Sequence, residues 1–151
     1  IYSDIVITTN GGYPLDQNIY QTVKGMTAGE ATVNENGVII ILSSCADGTG
    51  GEFFYKLLAD ASSAQEAYQK LNDVEPKDTE FDQWEAQILA RILTKANVII
   101  VSTHCDPKII KAMHIKHASS LDEALEMAST IVGENKKITI IPDGISVIVK
   151  E

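Results

Sequence analysis

Residues able to hold a small anion cluster early in this chain. In TTNGGYPLDQNIYQTVKG, residues 8–25, Gln17, Gln21 and Lys24 recur at i, i+4 and i+7. On a helix they share one side, with Tyr20 beside them, while Ile19, Val23 and Met26 form the opposite apolar stripe. A cation flanked by amides on one face can form a binding surface. The same spacing also describes a solvated face on which Lys24, near a helix end, merely complements the dipole. Trp84, the sole tryptophan, opens a long helical pattern, as a ligand wall or as the edge of the core.

Other chemistry has weaker support. Cys45, His104 and Cys105 lie at the tips of strand-like segments, but no CxxC or HxxxH spacing accompanies them, so no metal site is assigned. Cysteine at a strand end reads as a small buried hydrophobe, and His114 and His117 read as surface residues. The loop Gly48-Thr49-Gly50-Gly51 resembles a phosphate cradle, yet it lacks a complete GxGxxG and the Lys-Ser/Thr of a P-loop. It is read as helix entry.

The elements that position these residues follow from hydrophobic periodicity. Asp4–Thr8, Val38–Leu42, Val98–Ser102, Ile138–Ile141 and Ser146–Val149 are β-branched and nearly continuous in apolar residues, as strands covered on both faces are. His114–His117 is a further short strand. Helical patterns cover Asp16–Gly25, Glu52–Ala61, Ala64–Asn72, Phe81–Lys95, Pro107–Met113 and Leu121–Val132. Thr27-Ala28-Gly29-Glu30 has the spacing of a capping box that starts another helix. In Glu52–Ala61, Phe53, Leu57 and Leu58 fall on one side. The alternation predicts an α/β fold of three layers, a mostly parallel, Rossmann-like sheet with helices on both faces. Pro142-Asp143-Gly144 predicts an antiparallel hairpin that makes one edge mixed. Three glycine-rich or small-polar strand tips then gather at the carboxyl ends of the strands, where such sheets bind ligands.

Composition narrows the partners. The chain has 151 residues, enough for one domain, with 44% hydrophobic and 22% charged residues. Its net charge of −9 argues against a nucleic acid or an anionic membrane as partner. No apolar run is long enough to span a bilayer, and two cysteines are too few for a disulfide scaffold, so a cytoplasmic location is expected. The first residue is Ile1, which suggests a domain cut from a longer polypeptide.

DIVITTNGGYPLDQNIYQTVKGMTAGEATV, followed by GVIIILSSCADGTGGEFFY, resembles the C-terminal domain of the nickel-pincer lactate racemase family. The resemblance covers essentially the whole chain. It implies a two-domain cytoplasmic enzyme that interconverts the stereoisomers of lactate or a related 2-hydroxy acid, with its active site between the domains. It further implies a nickel-pincer nucleotide held by the N-terminal domain of the same chain, and a reaction by hydride removal and return. The cofactor's lysine and histidines belong to that domain, so His104, His114 and His117 are not assigned their roles, and no cofactor or metal is expected on residues 1–151. On the substrate side the resemblance places Lys24 and Gln21 as catalytic residues, with Tyr20 and Trp84 as substrate-binding neighbours. The alternatives are a racemase of another 2-hydroxy acid, or a non-catalytic module that binds a small carboxylate or nucleotide.

Overall fold

The computed structural model describes residues 2–150. Five strands form one sheet: β1 (Ser3–Thr9), β2 (Val33–Leu42), β3 (Asn97–Val101), β4 (Lys116–Ala118) and β5 (Ile138–Ile141). Their spatial order is β4-β3-β2-β1-β5, and every pairing is parallel. Six helices connect them: α1 (Ile19–Glu30), α2 (Glu52–Ala59), α3 (Ala64–Asn72), α4 (Gln83–Lys95), α5 (Pro107–Ala112) and α6 (Leu121–Val132). A single 3-10 turn, Pro76–Asp78, interrupts the acidic loop before α4.

Handedness decides the layers. From β1 to β4 the chain steps across the sheet in one direction, and right-handed crossovers put α1 to α5 on one face. The return from β4 to β5 runs the opposite way, so α6 lands on the other face. The two cores divide accordingly. Val6, Ile39, Ile41, Val98 and Ile100 pack under α1, α2 and α4, while Ile5, Ile7, Val38, Ile40 and Ile99 pack under α6. Successive strand residues are thus buried on alternate faces, which is why these strands are apolar without a break. α6 does not extend across β5. Ile138 and Ile140 pair with Ile5 and Ile7, and remain 47% and 66% exposed.

The expected α/β architecture is present, with three differences of detail. Ser146–Val149 forms no strand, and among the described residues there is no antiparallel hairpin; the edge is parallel like the rest. After β5 the chain crosses the tip of β1 instead. Thr9 Oγ1 donates to Pro142 O at 2.7 Å, and Gly144 N donates to Thr9 O at 3.0 Å. Secondly, α1 is one helix that starts later than expected and does not break at Gly25. Asn18 caps it by accepting from Gln21 N at 2.9 Å, and Thr27 Oγ1 bonds back to Lys24 O instead of opening a new helix. Thirdly, Phe54 and Leu58 form the buried face of α2, and Phe53 is 53% exposed.

Candidate functional site

The site is built where β1 ends. Asn10 is buried there, and its amide reaches into the middle of α1. Asn10 Nδ2 donates to Gln21 O at 3.0 Å, and Gly25 N donates to Asn10 Oδ1 at 2.9 Å. Residues 21 and 25 are one helical turn apart, so a single side chain clasps both ends of one rung of the helix. Asn10 Nδ2 also donates to Leu15 O, which ties down the loop before the helix. This close approach needs Gly25. A Cβ there would sit 2.7 Å from Asn10 Oδ1 and 2.9 Å from Thr9 O.

The clasp fixes the turn that carries Gln21 and Lys24. Lys24 is exposed, and its Nζ donates to Gln21 Oε1 at 2.8 Å. Both side chains line a cleft of about 330 Å³ together with Trp84 of α4 and Ile145 of the segment after β5. Tyr20 does not line the cleft. Its ring lies edge-on between Phe54, at 5.3 Å and 76°, and Trp84, at 6.0 Å and 88°, and so braces the tryptophan. Burial, then the Asp82 and Glu85 carboxylates, push the Tyr20 phenol above its ordinary range. Gln17 is separated from the group. It sits in the turn before α1, where its carbonyl accepts from Asp47 N at 2.8 Å.

The cleft holds a carboxyl that the sequence reading did not single out. Glu85, next to Trp84, is 1% exposed, and its Oε1 has no hydrogen-bond partner. Burial raises its carboxyl to about 7, with the Lys24 ammonium opposing the rise and Asp82 adding to it. The signal was present in the spacing. Glu85, Leu89 and Ile92 follow i, i+4, i+7 and all are buried, so a carboxyl stands in an apolar stripe.

The glycine loop is occupied by the protein itself. Gly48 O and Thr49 O accept from Ile19 N and Tyr20 N, each at 3.0 Å, and so satisfy the first amides of α1. Gly48 and Gly50 have φ of +67° and +82°, which lets the carbonyls turn toward the helix. The loop therefore closes a helix end that would otherwise attract an anion.

The expected non-ligand cysteines and histidines have structural partners. Cys45 is buried against Ser43 and Thr22, and burial pushes its thiol up. Burial raises the Cys105 thiol to about 11. His114 and His117 are half-buried rather than on the surface. Their Nε2 atoms donate to Leu58 O at 3.1 Å and Ser102 O at 2.8 Å. Among the described residues no three His, Cys, Asp or Glu side chains gather as a metal would require. A wider groove of about 660 Å³ lies beside α2, α3 and the acidic loop, but Gln21, Lys24 and Trp84 are not part of it.

Residues 1–149 match the lactate racemase C-terminal domain family. The chain belongs to that family. It is 53% identical to a lactate racemase of Thermoanaerobacterium thermosaccharolyticum over 99% of its own length and 35% of the relative's. It is equally identical to the lactate racemase of Lactiplantibacillus plantarum over 97% of its length and 35% of that relative. The structure of the lactate racemase apoprotein from T. thermosaccharolyticum superposes with a TM-score of 0.97 at 52% identity, covering 100% of this chain and 36% of that one. The chain thus spans about a third of the length of the relatives it matches. The same comparison bears out the α/β sheet. No helix among the described residues is long and apolar enough to cross a membrane.

Proposed function

We propose that this chain is the substrate-side domain of a lactate racemase, a cytoplasmic isomerase whose remaining domain closes the cleft over Lys24. The observation that carries this reading is the Lys24–Gln21 pair, hydrogen-bonded and presented at the carboxyl end of a parallel sheet beside Trp84. In this reading Lys24 holds the carboxylate of a 2-hydroxy acid or polarises its oxygen, and Gln21 fixes orientation. Trp84, braced by Tyr20, keeps water from the reacting carbon. Lys24 is exposed in this domain, so in this reading the closing surface comes from the remaining domain. Leu15 and Trp84, which line the cleft, are both exposed apolar side chains suited to receive it.

The family's nickel-pincer nucleotide does not fit the residues described. Both thiols are raised away from the thiolate form that binds nickel, and the half-buried histidines are engaged by backbone carbonyls. In this reading the N-terminal domain holds the cofactor and this chain meets the substrate.

The test is Lys24→Ala in the full-length enzyme loaded with its cofactor. Loss of a charged group aimed at the substrate is expected to lower kcat/KM for L-lactate racemisation on the order of 100-fold or more. An unchanged kcat/KM overturns the assignment.

A further inference from the structure

We infer that Glu85 is a positioning residue for Lys24, a buried carboxyl in the wall of the cleft whose charge decides how much of the lysine's positive potential an incoming carboxylate meets. The inference rests on the reading of Lys24 as the substrate's anchor. Its own support is geometric. Glu85 lines the same cleft as Lys24 and Gln21, and is all but inaccessible. Its Oε1 lacks a partner, which a buried polar atom rarely tolerates without a reason.

The groups that face Glu85 are few. Lys24 and the Tyr20 phenol approach from α1, and Asp82 from the start of α4. Protonated, Glu85 leaves the ammonium of Lys24 unopposed and offers an O–H to the cleft. Ionised, it draws Lys24 toward itself and repels an anionic substrate. Burial raises its carboxyl to about 7, so both forms are populated between pH 6 and pH 8. Lactate itself is fully ionised there and contributes no change of its own.

KM for L-lactate, measured on the full-length, cofactor-loaded enzyme from pH 6 to pH 8, tests this. Wild type is expected to show a rise in KM on the order of tenfold, the size of about 1.4 kcal/mol of lost attraction. Glu85→Gln, which keeps the shape and removes the charge, is expected to hold KM low and level across the range. A Glu85→Gln profile that rises as wild type does overturns the inference, and so does a wild-type KM that is flat, a result that requires no folded variant. Lys24→Ala measured in parallel separates the two readings. If Lys24→Ala is impaired and Glu85→Gln follows wild type, only the role of Glu85 falls; if Lys24→Ala is unimpaired, the anchor itself falls.

Discussion

Asn10 does at one position what usually needs several residues: it joins a strand tip, a loop and the middle of a helix through one amide. Replacing it with Ala strips Leu15 O, Gln21 O and Gly25 N of a buried partner. Each such group costs about 1–3 kcal/mol when left unmade, so a loss of about 3 kcal/mol is expected by urea unfolding. A loss below about 0.5 kcal/mol would show that water replaces the amide freely. The sequence offered Asn10 only as part of a turn, because Asn at a strand tip is ordinary and its role arises from the tertiary approach of Gly25. Gln21, Lys24 and Trp84 were legible through family resemblance, and they do line one cleft. The resemblance named Tyr20 as a substrate-binding neighbour; its ring stands edge-on to both Phe54 and Trp84, so what the structure gives it is contact with the wall of the cleft. Glu85 was not singled out, although its spacing from Leu89 and Ile92 marked it as inward-facing.

Among the elements, α1 shows how a contact overrides a local preference. Gly25 was taken as a stop, and by propensity alone Gly→Ala inside a helix gains about 1 kcal/mol. Here the added carbon would meet a backbone carbonyl, Thr9 O, at 2.9 Å, so the helix must retreat from β1. Overpacking of this kind costs about 1–3 kcal/mol, and the clash wins. Gly25→Ala is expected to lower stability by up to about 2 kcal/mol net in chemical denaturation, and to raise KM in the full-length enzyme by moving Lys24. An increase in stability would show that α1 floats freely over the sheet. Strands β1, β2 and β3 were legible because both sheet faces are covered there, which leaves unbroken apolar runs; β5 keeps such a run although α6 leaves one of its faces open. The segment 146–149 carries the same apolar signature without being a strand. Gly144 explains why, since its backbone is pinned to Thr9 and its α-carbon has Thr8 Oγ1 and Gly25 O close by, which steers the chain over β1.

For the molecule as a whole, Glu85 links folding to pH. Its folded carboxyl titrates at about 7 against an ordinary 4.5, so its stabilising contribution is complete below about 4.5 and is lost as pH rises through about 7. Thermal unfolding from pH 5 to pH 8 is expected to show a falling Tm, and Glu85→Gln to flatten the fall; equal slopes would remove Glu85 as the cause. The domain expressed alone is expected to show no racemisation, since the proposed cofactor site lies outside it, and measurable turnover would refute that division of labour. The sheet itself has an open flank, where Ile138 and Ile140 continue a covered apolar face past the reach of α6. Anyone who purifies this piece should therefore meet a concentration-dependent self-association visible by light scattering, as unguarded edge strands invite. A single Ile140→Lys change should keep it dispersed without disturbing the cleft.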